Sequence, residues 1–458
     1  LADKLPEKNQ WARRHARRLL RTRSAEPSLH ELGRIVKEYN PDNDRSEQQA
    51  LEALWILHGT SLPKTNPSEM KEILLAALGS SSPDLQRWAI RIAADQETTL
   101  GPALVEIASA TKNAEVISQL ASAARILGDR SLIEALARRG EFSADSFIPL
   151  QLWWALESLI SHHPVQAREL LSYSGFWDTP LFESILSERV GRRYMAERSP
   201  ESLKMCAQLL TRAKGSKHLG TLIRGMVRAL EGTSLDPVPP ELDAALAYLW
   251  KNEDVSGEVI QLSLRLRSPQ ALAAARPLLK ATSTPLSQRL DLIKALGELA
   301  DAPSEEIFLA LVRNEKMEPA IRLAALTGLR RYSGEGIPST LLSLYPRLQG
   351  DLRQVSQSLL ASRPEWAHQL LLAVKDGIID KASISQANIL LMNHYENSEI
   401  QSLLTQHLRP SPRSNKHKAE RITEIKALLS AEKPIGNPSD GYTVFAQQCA
   451  ACHKFRDR

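Results

Sequence analysis

The chain has 458 residues, of which 43% are hydrophobic and 24% charged, with a net charge of +5 and a pI near 9.0. This composition excludes a disordered chain, and an excess of five charges over this length excludes the dense basic tracts of nucleic-acid arms. No run of 18 apolar residues occurs, so no membrane-spanning helix is expected, and three cysteines are too few for a disulfide framework.

Read in chain order, residues 1–430 predict helix after helix, broken by short turns rich in Pro, Gly, Ser and Asn. Sustained alternation of β-branched and aromatic residues, the strand signal, is nearly absent. Near the start, Arg13, Arg14, Arg17, Arg18 and Arg21 form a basic face opposite Ala12, Ala16, Leu19 and Leu20, expected to be solvated or to face the rest of the array. Ser82-Pro83-Asp84 is a helix start, with Ser82 placed to cap, Pro83 at the first helical position, and Leu85, Ala89, Ile92 and Ala93 on one face. From Asn113 onward, Val116, Leu120, Ala123, Ala124 and Leu127 share a face in the same way.

The most apolar window runs from Phe147 to Ile160, interrupted by Gln151, Glu157 and Ser158. Its Trp153-Trp154 pair is expected to be buried between repeats rather than to stack on a ligand. His162-His163 precede Pro164 and read as helix-end residues, because no cysteine or carboxylate stands at metal-ligand spacing. Cys206 lies alone on an amphipathic stretch and reads as a buried, inert thiol.

Farther along, Arg289 to Leu299 aligns with Arg322 to Tyr332 at an offset of 33, superposing Leu290 on Leu323, Ile293 on Leu326 and Leu296 on Leu329. Arg353 follows Arg322 by 31. An arginine ahead of an apolar-small-apolar helix, recurring every ~30 to 45 residues, is the pattern of HEAT-like helical pairs, which bury their apolar faces only when stacked. The fold class expected is therefore all-α: a HEAT-like α-solenoid over 1–430. Residues 431–440, with two prolines and a glycine, read as a linker, and 441–458 as the start of a second, cytochrome c-type helical domain.

Chemistry is concentrated at the end of the chain. Cys449-Ala450-Ala451-Cys452-His453 has the spacing of a c-type haem attachment site, in which two thiols form thioethers to the vinyl groups and the adjacent imidazole ligates iron. From composition alone such a pattern is expected about 5 times in 10,000 chains of this kind. A redox dithiol would call for a thioredoxin-type βαβ setting, and structural zinc for four ligands. Val444 and Phe445 fall one turn before Cys449, where Phe445 could lie against the haem edge. The six methionines, Met70, Met195, Met205, Met226, Met317 and Met392, all sit in the helical array, where packing is their default role. The chain starts at Leu1 without a signal-peptide pattern and stops five residues after His453, so a second axial ligand is expected outside this sequence, and the chain reads as a fragment.

Several segments together resemble a family of large haem proteins with HEAT repeats, named for the Pirellula/Verrucomicrobium-type haem-binding domain. Asn9 to Leu20 resembles the helix after its propeller, Ala53 to Gly59 and Leu85 to Arg91 its first repeats, and Ile148 to Glu157 its most distinctive internal stretch. Gly441, Val444, Phe445, Cys449, Cys452 and His453 match the opening of its haem module. The resemblance implies a propeller akin to sugar dehydrogenases upstream, a HEAT-repeat middle and a C-terminal cytochrome c module. On it, Cys449 and Cys452 carry covalent haem c and His453 is the proximal ligand. The function expected is electron transfer, with the solenoid positioning the redox module beside a redox partner protein or an upstream dehydrogenase domain. The alternative is a HEAT-repeat protein-interaction scaffold. No nucleotide-binding, protease or hydrolase motif occurs, no catalytic constellation is found, and the chain itself is not expected to be an enzyme. Covalent haem attachment takes place outside the cytoplasm, which points to the periplasm or cell envelope.

Overall fold

The computed structural model describes residues 4–5, 9–22, 26–43, 45–233, 235–252, 255–281, 283–408, 412–430 and 437–448. Every regular element among them is helical, and the chain is a HEAT-like α-solenoid built of helical pairs. It divides into two compact units, Leu1–Ala275 and Arg276–Arg458.

In the first unit the helices form two layers. One layer runs through Ser46–His58, Pro83–Asp95, Ala114–Leu127, Ile148–His162, Ser187–Glu197, Leu219–Ala229 and Gly257–Arg265. Most of these helices pack directly on the next one along the layer. The other layer, which includes Glu26–Lys37, Pro67–Leu78, Pro102–Ala110, Arg130–Ala137 and Pro200–Ala213, covers its far side. Local sequence sets the starts. Ser82 accepts a hydrogen bond from the Leu85 N–H at 3.1 Å with Pro83 at the first position, and Asn113 accepts from the Glu115 and Val116 N–H groups at 2.9 and 3.1 Å. The faces follow as well: Leu85, Ala89, Ile92 and Ala93 are buried, as are Val116, Leu120, Ala123 and Ala124, with Leu127 half-buried.

The second unit repeats the scheme. Leu286–Leu299, Pro319–Gly328 and Gly350–Leu360 form one layer, and Ser304–Arg313, Gly336–Leu344 and Pro364–Lys375 the other. Ile293 and Leu326, aligned by the 33-residue offset, are both fully buried, and so are Leu296 and Leu329. The two aligned arginines have a common task. Arg289 Nε donates to the Leu279 carbonyl and Arg322 Nε to the Val312 carbonyl, each at 3.1 Å and each ten residues back. Those carbonyls belong to the last turn of the preceding helix, where no intrahelical donor exists. A guanidinium there satisfies the acceptor and neutralises the negative end of the helix dipole. Arg353 differs: its Nε donates at 2.8 Å to the carbonyl of Leu348, only five residues back in the loop just before its own helix.

Close approach is greatest between Ser187–Glu197 and Leu219–Ala229. A Cβ on Gly225 would stand 1.9 Å from the Glu188 carbonyl oxygen, and one on Gly191 2.4 Å from that of Leu222. Only glycine lets the two backbones meet there. Immediately before this contact the chain makes one π-turn, Phe182–Leu186, which runs straight into Ser187–Glu197. Phe182 from that turn packs edge-on against Phe176, and His218 meets the rings of both Trp177 and Phe182.

Gly225→Ala should lower the thermal unfolding midpoint by an amount corresponding to about 1–3 kcal/mol, because the helices must move apart to admit the methyl group. Gly220→Ala, on the same helix with its nearest neighbours at 3.5 Å, should be neutral or stabilising. Equal melting curves for Gly225→Ala and the parent would contradict the close packing described.

Candidate functional site

Cys449, Cys452 and His453, the residues to which the sequence assigns haem attachment, lie outside the described residues. Their approach is described. The helix Pro438–Gln448 runs directly up to Cys449. It starts with Asn437, whose side chain accepts from the Ser439 N–H at 2.9 Å and whose carbonyl accepts from the Gly441 N–H at 2.9 Å. Asp440 therefore occupies the first turn rather than the capping position, since Pro438 is suited to open the helix two residues sooner. On this helix Tyr442 and Val444 are exposed and Phe445 is half-buried.

Met70, Met195, Met205, Met226 and Met392 are buried in the helical layers, as core packing predicts. Met317 is half-buried with its sulfur 3.1 Å from Arg289 Nη2.

The other residues singled out from the sequence fall into place individually. In the basic N-terminal helix Gln10–Thr22, Arg17 makes a bidentate pair with Glu52 at 2.6 Å for both bonds, Arg13 approaches the same carboxylate at 3.4 Å, and Arg21 donates to the Gly59 carbonyl. Glu52 is 1% exposed, so this part of the arginine face turns inward and anchors the helix, while Arg14 and Arg18 remain exposed. Trp153 is buried as expected, but Trp154 is not: 43% of it is exposed, because the helix Ile148–His162 keeps one face toward solvent. His162 closes that helix with Nδ1 3.0 Å from the Ser158 carbonyl, and His163 follows as its terminal residue. No group of three or more His, Cys, Asp and Glu side chains among the described residues could hold a metal ion. No described helix is long and apolar enough to cross a membrane.

One surface site escaped the sequence. Between Ile148–His162, Ser187–Glu197 and Leu219–Ala229 lies an open groove of about 420 Å³, lined by Trp153, Ile185 and four arginines, Arg189, Arg192, Arg193 and Arg228, with Glu157 and Glu188. Arg228 pairs with Glu188. Arg193 is shared between Glu197 at 2.6 Å and Glu157 at 3.7 Å. Arg189 lies 5.9 Å over the Trp153 ring. The contributors are spread over 76 residues of sequence (153 to 228), which is why no local motif announces them. The run Glu188-Arg-Val-Gly-Arg-Arg193 was the one available signal.

No protein-family model matches the chain, and no curated protein matches it. Solved structures do. A crystal structure of Kap121p matches at a TM-score of 0.38 and 12% identity over 88% of this chain and 47% of that one. Importin beta in an ammonium sulfate condition matches at 0.40 and 12%, over 88% and 59%. Kap121p bound to Nup53p matches at 0.40 and 14%, over 86% and 47%. The chain spans about half the length of these structures, and at such scores the likeness carries no functional argument.

Burial raises the Cys206 thiol to about 12, as its place in the core of Pro200–Ala213 requires. In a Cys449→Ser/Cys452→Ser variant, Ellman's reagent at pH 8 should therefore titrate no thiol in the native chain and one in guanidinium chloride. Rapid native labelling would show Cys206 to be accessible instead.

Proposed function

We propose that this chain is a protein-interaction and positioning scaffold, and that the module it positions carries covalent haem c for electron transfer. The first half of that reading is supported by the stacked helical pairs, in which layer helices such as Pro83–Asp95, Ala114–Leu127 and Ile148–His162 of the first unit each keep exposed residues along one side. Such a surface offers binding area without a catalytic pocket. The second half is supported by Cys449-Ala-Ala-Cys452-His453 at the end of an exposed helical approach. Bound haem would supply one-electron exchange; the chain's own part is to present two thiols and an imidazole at the correct spacing, and to fix where that module stands relative to its neighbours. The partner would be a redox protein or an upstream dehydrogenase domain, and the location the periplasm or cell envelope, where thioether formation takes place.

Two measurements separate the halves. Expressed with cytochrome c maturation machinery as part of its complete open reading frame, the protein should give a pyridine haemochrome spectrum of haem c, lost on Cys449→Ala. A spectrum without covalent haem removes the electron-transfer reading and leaves the scaffold. Lysine- and carboxyl-reactive cross-linking in its native host should place partner cross-links on residues 46–362. Cross-links confined to residues beyond 437 would remove the scaffold reading.

A further inference from the structure

The arginine groove in the first unit is not explained by folding. Several structural arginines are held in pairs or on carbonyls: Arg17 on Glu52, Arg139 on the Ala108 and Thr111 carbonyls, Arg276 on Asp301. In the groove, Arg228 and Arg193 follow that habit, but Arg189 and Arg192 have no carboxylate within ion-pair distance among the described residues. Both line the same wall, half-buried and exposed respectively. Two uncompensated guanidiniums side by side repel each other and cost stability unless an anion joins them.

Resting on the scaffold reading, we infer that this groove holds an acidic, extended segment of a protein partner, with its carboxylates on Arg189 and Arg192. Three observations select this ligand. A guanidinium presents paired donors in a plane, which matches a carboxylate bidentately. Ile185, brought to the rim by the π-turn, adds an apolar contact beside the charges, as suits a peptide with an aliphatic residue among its acids. Trp153 is buried, with Arg189 over its ring, so no free aromatic face is left on which a nucleobase could stack. Glu157 and Glu188 face the same space and would repel an anion placed deeper, which confines the ligand to the Arg189 and Arg192 side.

The test uses the full chain and a fluorescein-labelled peptide of alternating glutamate pairs and single leucines, followed by fluorescence anisotropy at low and physiological salt. Arg189→Ser/Arg192→Ser should weaken binding at least tenfold with unchanged circular dichroism. The exposed Arg192→Ser alone should already weaken it about threefold, which keeps the test valid should the double variant fold poorly. Arg87→Ser, which removes a half-buried arginine paired with Asp84 and Glu115 on the helix Pro83–Asp95, away from the groove, should bind within twofold of the parent. Equal affinity in the parent and Arg192→Ser, an equal loss in Arg87→Ser, or tighter binding of a thymidine oligonucleotide of the same charge would overturn the inference. Partner cross-links that persist on residues 46–362 in the double variant would sink this site while leaving the scaffold standing; their absence from the parent chain sinks the scaffold itself.

Discussion

A hairpin of two helices has more apolar surface than its own partner helix can cover, and the excess must be met by the next hairpin. In this chain that contact is made helix on equivalent helix: Pro83–Asp95 on Ala114–Leu127, that helix on Ile148–His162, and Leu286–Leu299 on Pro319–Gly328. Fully buried leucines, isoleucines and alanines fill those seams. Where the seam is tightest, Gly191 and Gly225 remove side chains altogether so that backbone meets backbone.

Polar links run across the same seams at a separation of about one repeat. Ser118 bonds Gln151, Arg193 reaches Ser161, Tyr332 donates to the Leu296 carbonyl and Tyr395 to that of Ala361, at separations of 33, 32, 36 and 34 residues. The Tyr332 hydroxyl acts where water is scarce, so leaving the Leu296 carbonyl unpaired would be costly. The exposed ion pairs, such as Arg224 with Glu258, add little free energy. Their use is to penalise a slipped register, since a shift of one residue turns partner side chains to different faces of the helix.

What the sequence disclosed and what it hid follow from range. Helix starts at Ser82 and Asn113 were legible because a cap acts within three residues. The Arg289, Arg322 and Arg353 series was legible as a recurrence, although the task of closing the preceding helix, which Arg289 and Arg322 share, needed the structure. Trp154 was misjudged because periodicity gives a helix's faces but not how much of each a neighbour covers. The groove was illegible, being assembled from three helices whose order in space depends on the whole stack. Cys449-Ala-Ala-Cys452-His453 is the reverse case: its spacing is read from five consecutive residues of sequence, and they lie outside the described residues.

The π-turn at Phe182–Leu186 is best understood as a phase shift. One residue beyond the regular count turns everything downstream by roughly 100° about the helix axis. With a regular turn in its place, Gly191 would swing off the Leu219–Ala229 seam and Arg189 would leave Trp153. A single extra residue within one turn, without unravelling the helix, thus sets both a backbone contact and the direction of a row of charges. Repeat arrays can in this way acquire a new surface without disturbing the stack that carries it.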